Sequence, residues 1–124
     1  MKINHIGIVN RDRIDAEKFY INLLEFELKY EFILQRDLSE FLFGHKSEIP
    51  VLILERGNIV IEIFIVPDFI NSIPNIPHIC IQTDNLEEYL ELLRRNGVEL
   101  ITFTRDGKEK YFIKDLSNNL IEMK

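Results

Sequence analysis

The chain contains an internal repeat, which limits the possible folds more than any other feature of the sequence. Residues 3–28, INHIGIVNRDRIDAEKFYINLLEFEL, and residues 76–100, IPHICIQTDNLEEYLELLRRNGVEL, both begin with a histidine inside an aliphatic run. Both continue into a helical pattern and become extended again about twenty residues later. Such similarity implies a duplicated supersecondary unit. A unit of about 60 residues buries too little surface to be stable alone, so the two halves are expected to pack together.

Each half predicts the order strand, helix and three strands, because apolar residues recur first with the strand period, then with the helical period and then with the strand period again. The first half predicts a helix at Arg13–Leu24, extended segments at Ile3–Val9, Leu28–Leu34, Phe41–Phe43, Val51–Glu55 and Ile59–Val66, and a loop at Gly44–Pro50. The second half predicts a helix at Leu86–Asn96 and strands at Ile79–Gln82, Val98–Phe103, Lys110–Lys114 and Leu120–Met123. The fold class is therefore α+β.

Turn and cap residues support this division. Thr83 or Asp84 is expected to cap the second helix, and Gly97 is expected to end it. Asp106-Gly107 predicts a hairpin turn. The proline-punctuated segment Pro67–Pro77 is the predicted linker between modules 1–67 and 76–124.

Composition and charge exclude several classes of protein. The chain is 46% hydrophobic and 29% charged, which is ordinary for a globular domain. Its net charge of −6 disfavours nucleic acid or an anionic membrane as the partner. The single cysteine, Cys80, permits no intrachain disulfide and suits a reducing compartment. We expect a cytoplasmic protein without a signal peptide or membrane span.

Four predicted strands carry an ionisable residue that interrupts an apolar pattern. These residues are His5, Glu62, His78 and Glu122. Strand side chains alternate between the two faces of a sheet. The nearest aliphatic neighbours of each ionisable residue are an odd number of positions away from it (opposite parity), so they point to the other face. The simplest arrangement packs those neighbours against the helices and turns the four polar groups toward a common cavity.

Two imidazoles and two carboxylates form a mixed nitrogen and oxygen ligand set that suits Zn, Ni, Co, Mn or Fe(II). Four protein ligands in an octahedral shell leave two positions for water or substrate. Taken alone, a single His or Glu on an edge strand is usually solvated or hydrogen-bonded. The equivalent places of His5 and His78, and of Glu62 and Glu122, favour the metal interpretation.

Most of the chain resembles the glyoxalase-like (vicinal oxygen chelate) superfamily. The similar segments are HIGIV, AEKFYINLLEFEL, IVIEIFIVPDF, IPHICIQTDNLEEYLELLRRNGVEL and YFIKDLSNNLIEMK. Residues 36–49 have no recognisable counterpart. The resemblance implies one domain over residues 1–124, with two tandem βαβββ modules forming a curled mixed sheet around a metal cleft. It also implies a homodimer.

The resemblance further implies that His5, Glu62, His78 and Glu122 bind one divalent ion. It implies a glyoxalase-I-like lyase or isomerase that acts on a small α-oxo substrate, free or conjugated to a thiol, through an enediolate. Glu62 and Glu122 are the implied catalytic proton carriers. Acyl-CoA epimerisation and non-enzymatic drug binding, as in bleomycin resistance, are the alternatives. The epimerase branch usually has Gln at the place of Glu62, and the drug-binding relatives typically lack the full ligand set.

Two positions depart from bacterial glyoxalase I, where Arg and Asn usually contact glutathione. Here these positions are Val9 and Val66, which disfavours glutathione as the co-substrate. The usual Asp-Pro-x-Gly-Asn turn is Asp115–Asn119, without its Pro and Gly.

Four further residues are candidates near the site. Arg11, Lys110 and Phe112 are predicted to contact the substrate, the first two because a cation would recognise an anionic group. Cys80 shares the parity of His78. A buried structural cysteine is the expected interpretation, and a catalytic or ligand thiol is the alternative. His45 is expected to be a solvated loop residue, with a role in a mobile lid as the alternative.

Overall fold

The chain folds into two similar four-stranded sheets with few helices. A computed structural model describes residues 3–69 and 78–124. The chain divides into two compact units, the first Met1–Ile70 and the second Asn71–Lys124. The predicted α+β class and the two βαβββ modules are confirmed. The predicted linker lies largely outside the described residues. No helix within the described ranges has both the length and the apolar character needed to cross a membrane.

The first unit has a mixed sheet with strand order β1-β4-β3-β2. Its elements are β1 (Ile6–Asn10), α1 (Arg13–Ala16) with a π-helical continuation (Glu17–Leu23), β2 (Glu27–Leu34), α2 (Arg36–Phe43), β3 (Ile49–Arg56) and β4 (Ile59–Ile65). Strands β1 and β4 are parallel, and the other two pairs are antiparallel. The first strand of the unit therefore lies beside its last.

The second unit repeats this topology with strand order β5-β8-β7-β6. Its elements are β5 (Ile79–Ile81), α3 (Leu86–Arg95), β6 (Leu100–Arg105), β7 (Lys108–Lys114) and β8 (Leu120–Met123). Strands β5 and β8 are parallel, as are their counterparts β1 and β4. The duplication inferred from the sequence thus extends to the pairing of the strands.

The largest difference from the prediction is α2, which replaces the extended segment expected at Phe41–Phe43. Leu38, Phe41 and Leu42 recur at the spacing of one helical face. Gly44 ends the helix in the left-handed region, with φ of 67°. The predicted loop after it is shorter than expected, because β3 already begins at Ile49.

The first helix is also less regular than the predicted Arg13–Leu24 helix. Its second part is π-helical, and the Leu24 N–H donates to the Phe19 carbonyl at 3.0 Å. This wider turn buries both Phe19 and Tyr20, although the two are adjacent in sequence. In the second unit, α3 begins after Asn85, so the prediction of Thr83 or Asp84 as the cap was wrong. Thr83 Oγ1 instead accepts from the Asn85 N–H at 3.4 Å.

Two turns position the strands of the second unit. Asp106 and Gly107 both have positive φ, of 51° and 71°, as a tight hairpin turn requires. In the last turn, Asn118 has φ of 69° at the place where the usual motif has Gly. Asp115 holds this turn through hydrogen bonds and is 4% exposed. Asn tolerates the left-handed region and so replaces Gly here.

Strand β4 buries one face under apolar side chains, as the alternation predicts, whereas β3 is buried on both faces from Val51 to Leu54. In β4 the buried residues are Ile61, Ile63 and Ile65, and in β8 they include Ile121 and Met123. The helical segments contribute Ala16, Phe19, Tyr20, Leu90 and Leu93 to the buried residues. The opposite face of each sheet, called here the site face, carries the histidine and glutamate of that unit.

Candidate metal and substrate site

The first half of the candidate site is a histidine–glutamate pair at the parallel junction of β1 and β4. His5 Nε2 lies 3.5 Å from Glu62 Oε2. Glu62 pairs with Gly7 across the two strands, so His5 precedes that point by two residues and lies on the same face. His5 Nδ1 is 3.2 Å from Asn4 Oδ1. A proton on Nδ1 donates to Asn4 and leaves the lone pair of Nε2 for a ligand bond.

The second half repeats this arrangement at the junction of β5 and β8. His78 Nε2 lies 3.6 Å from Glu122 Oε2. Glu122 pairs with Cys80, so His78 again precedes the paired residue by two positions. The two pairs therefore occupy equivalent places in the two sheets and use the same atoms.

The distances within both pairs suit two neighbouring ligands of one ion. Ligand nitrogen and oxygen atoms lie about 2.1 Å from a divalent transition metal, so adjacent ligands are about 3.0–3.4 Å apart. The observed separations of 3.5 and 3.6 Å are close to this range. They are long for a strong N–H···O hydrogen bond. Imidazole and carboxylate are also the donor types that such ions prefer, so the residues fit the predicted metal.

The structure places the four predicted ligands in two pairs, one in each unit. Within residues 3–69 and 78–124, no group of three or more His, Cys, Asp or Glu side chains is arranged to hold a metal ion. Each pair supplies half of the predicted ligand set. The convergence of all four residues on one ion stays a prediction.

Glu122 has cationic neighbours. It is 8% exposed, and its Oε1 atom lies 3.4 Å from Lys124 Nζ. Burial raises the pKa of Glu122, but Lys124, Cys80 and Lys110 together more than offset this, so the pKa is lowered. Glu122 is thus ionised at neutral pH, as a metal ligand must be.

Cys80 is exposed, so the expectation of a buried structural cysteine was wrong. The prediction that Cys80 lies on the same face as His78 was correct, since Cys80 pairs in register with Glu122. Partial desolvation of the sulfur and the nearby Glu122 carboxylate raise the pKa of the thiol, and Lys124 opposes them. The thiol form therefore predominates at neutral pH, and Cys80 lacks the lowered pKa of an activated nucleophile.

The three predicted substrate contacts have different surroundings. Phe112 pairs with Glu122, and its ring packs edge-to-face on His78 with centroids 5.9 Å apart. Lys110 acts electrostatically on Glu122. Arg11 is exposed directly after β1, and its contact with substrate stays a prediction. Phe112 and Lys110 thus belong to the surroundings of the second pair.

Sequence reasoning missed a cavity on the site face of the first unit. Its lining includes Gly7, Phe43, His45 and Phe64, and its volume is about 330 Å³. Lys124 was also missed, although it shares the parity of Glu122. The alternation of β4 could have placed Phe64 beside Glu62, but no sequence signal indicated that the segment around Phe43 reaches the same face.

Comparison with known proteins gives one family. The model of the Glyoxalase/Bleomycin resistance protein/Dioxygenase superfamily matches residues 2–123. Among solved structures, a glyoxalase family protein from Enterococcus faecalis has 24% identity and a TM-score of 0.75, with 98% of this chain and 95% of that chain covered. No curated protein matches the chain.

Two further similar structures belong to proteins with a named activity. The trypanothione-dependent glyoxalase I of Leishmania major has 17% identity and a TM-score of 0.75, with 99% of this chain and 85% of that chain covered. The fosfomycin resistance protein FosX of Listeria monocytogenes, complexed with Mn(II) and sulfate, has 20% identity and a TM-score of 0.72. The alignment covers 98% of this chain and 89% of FosX. At these low identities, the TM-scores show a shared fold alone.

Proposed function

The chain belongs to the glyoxalase/bleomycin resistance protein/dioxygenase superfamily, and from that membership we propose that it is a metal-dependent, glyoxalase-I-like lyase or isomerase. Its substrate is a small α-oxo compound. The observation that carries this proposal is the pair of equivalent histidine–glutamate contacts at 3.5 and 3.6 Å. Superfamily membership alone would not favour catalysis over simple binding.

In this proposal the Nε2 atoms of His5 and His78 and the carboxylates of Glu62 and Glu122 hold one divalent ion, which is Ni, Zn, Co, Mn or Fe. When bound, the ion supplies Lewis acidity that stabilises negative charge on the oxygens of the substrate. The Mn(II) of the Listeria FosX structure supports the idea that this fold accommodates such an ion.

The two carboxylates carry the proton. One removes it from the hydroxyl-bearing carbon next to the carbonyl group, which an α-oxo aldehyde acquires as its hydrate or its thiol adduct. This gives the enediolate form of the substrate, and a carboxylate returns the proton to the former carbonyl carbon. Glu122 is in the ionised form that a base requires, because Lys124, Cys80 and Lys110 outweigh the effect of burial and lower its pKa. The side chain of Glu62 is 20% exposed, which leaves it accessible to a small molecule.

Two alternatives receive less support. Acyl-CoA epimerisation also removes a proton next to a carbonyl group, but relatives of that type usually have Gln in place of Glu62. Drug sequestration requires no metal, whereas both halves of this chain retain a complete histidine–glutamate pair. A metal-free protein that binds aromatic drugs would favour sequestration.

Metal analysis tests the proposal directly. We expect protein purified without chelator to contain about one divalent ion for each set of four ligands. Inductively coupled plasma mass spectrometry measures this content. His5→Ala and His78→Ala are expected to lose it. The chain has three histidines, so His45→Ala is the matched control that should retain the ion. Equal metal content in all three variants would refute the proposed ligand set.

Activity provides the second test. Glu62→Gln and Glu122→Gln are each expected to reduce kcat by at least about a hundredfold, which is typical for loss of a general acid or base. Glu91→Gln, on an exposed helix face, is the control. Unchanged turnover in both site variants would exclude the proton-carrying role. The homodimer implied by the resemblance stays a prediction that sedimentation analysis tests.

A further inference from the structure

The cavity of the first unit lies on the site face, beside the His5–Glu62 pair. Its walls come from β1 and β4, from the start of β3 and from the end of α2 with the following loop. Gly7 and Val9 share the parity of His5, and Phe64 shares the parity of Glu62. The cavity and the pair therefore lie on the same face of the sheet, although neither His5 nor Glu62 lines the cavity.

Two aromatic rings and one glycine shape the cavity. The rings of Phe43 and Phe64 are packed edge-to-face, with centroids 5.6 Å apart and an interplanar angle of 72°. A Cβ atom on Gly7 would lie 3.2 Å from Phe64 Cε2. The missing side chain at Gly7 thus lets the Phe64 ring lie against β1.

The loop after α2 is held by a buried side chain. Ser39 is fully buried, and its Oγ donates to the His45 carbonyl at 2.9 Å. This contact connects the helix to the residue that follows its glycine cap. Because Phe43 ends α2 and His45 lies in this loop, the hydrogen bond fixes one wall of the cavity.

The lining is suited to an uncharged apolar group. Among residues 3–69 and 78–124, the lining side chains other than His45 and Gly7 are hydrocarbon; they are Val9, Phe43, Ile49, Phe64, Val66 and Phe69. None of them can pair with a charge, and an unpaired charge in such a place is strongly disfavoured. Val9 and Val66 occupy the positions where Arg and Asn would have favoured glutathione.

The volume limits the size of that group. A protein cavity of about 150 Å³ accommodates benzene. The cavity here, at about 330 Å³, has space for one aromatic ring with a short substituent or for two fused rings. A large glycopeptide drug or a polar tripeptide does not suit it.

We propose that this cavity binds an aromatic, uncharged group and that the substrate is an α-oxo compound that carries such a group. Phe43 and Phe64 are the residues that determine this specificity. The substrate part of the proposal rests on the proposed function, whereas the binding of an aromatic group does not.

Indole is a suitable probe, because the chain contains no Trp and the fluorescence of added indole is free of protein indole emission. The experiment uses the full chain after chelator treatment, so binding is measured without metal. We expect saturable binding to wild type. Phe43→Ala should weaken it about tenfold, which corresponds to the loss of one aromatic contact of about 1.4 kcal/mol. Val66→Phe should abolish it by filling the cavity.

Phe41→Ala is the matched control, since Phe41 lies on the same helix, is 85% exposed and does not line the cavity. Circular dichroism and thermal unfolding establish that each variant is folded. Absence of indole binding to wild type, or equal binding to wild type, Phe43→Ala and Val66→Phe, would overturn the inference. If the protein bound indole but took up no metal, the proposal about the cavity would stand and the proposed metal-dependent function would be refuted.

The substrate part has a separate readout in the metal-loaded protein. The ratio of kcat/KM for an aryl α-oxo aldehyde to that for its methyl counterpart should exceed one in wild type. It should fall about tenfold in Phe43→Ala and remain unchanged in Phe41→Ala. If the ratio did not depend on Phe43, the aromatic group of the substrate would not be bound in this cavity.

Discussion

Replacement of Asp115 tests how the last turn positions the strand that carries Glu122. The Asp115 Oδ1 atom accepts from the Ser117 N–H at 2.9 Å and from the Asn119 N–H at 2.8 Å. Its Oδ2 atom accepts from Asn119 Nδ2 at 2.8 Å. Asp115→Ala would leave two backbone donors without this acceptor in a buried or half-buried place.

The expected magnitude follows from these contacts. An unsatisfied buried donor destabilises the folded state by about 1–3 kcal/mol, so the loss of two gives roughly 2–4 kcal/mol because one of them is only partly buried. Asp115→Asn keeps an oxygen for the two backbone donors and loses only the contact to Asn119 Nδ2. We therefore expect about 1 kcal/mol for Asp115→Asn.

Urea unfolding followed by far-ultraviolet circular dichroism measures these differences. Leu116→Ala, in the same turn and 46% exposed, is the control and should change the free energy of unfolding by less than about 0.5 kcal/mol. If Asp115→Ala were as stable as Leu116→Ala, the carboxylate would not be what holds the turn. A lower metal content in Asp115→Ala at temperatures where it remains folded would show that the turn also positions Glu122.

Three further changes have defined outcomes. Gly107→Ala should lower the free energy of unfolding by about 1 kcal/mol in thermal unfolding, because the turn requires φ of 71° although there is space for the methyl group. Hydrogen bonds from Arg95 and Arg94 lower the pKa of Glu91, so this carboxylate stabilises the fold at neutral pH. That contribution is lost as the pH falls below the usual value of 4.5, and acid titrations of wild type and Glu91→Gln should converge there. Ser39→Ala should lower stability by about 1 kcal/mol in urea unfolding, and a smaller change would refute the role of its hydrogen bond to the loop.

The repeat and the strand alternation predicted the fold and the placement of the candidate ligands. A period of two fixes the face of each side chain, so Glu62 and Glu122 could be assigned to the site face without any tertiary information. The parallel pairing that brings each histidine near its glutamate could not be derived from alternation. The resemblance to known modules implied a mixed sheet and a common ion, but not which strands pair.

The errors arose where local patterns are ambiguous. The run Phe41-Leu42-Phe43 is apolar and suits a short strand, and only the spacing from Leu38 with the following Gly44 indicates a helix. Burial of Cys80 was inferred from the average behaviour of free cysteines, but its side chain is exposed, although its partner in register, Glu122, is buried. The cavity was not predictable, because it depends on how α2 lies over the sheet.

The parallel pairing of the first and last strand in each unit has a further consequence. An ion that bound both His5 and Glu62 would join the two ends of a closed loop that contains almost the whole unit. Such a link restricts the unfolded chain much as a long-range disulfide does, and it can be removed with a chelator. Metal binding should therefore stabilise the entire unit reversibly. The gain in its free energy of unfolding would depend on the free concentration of the ion.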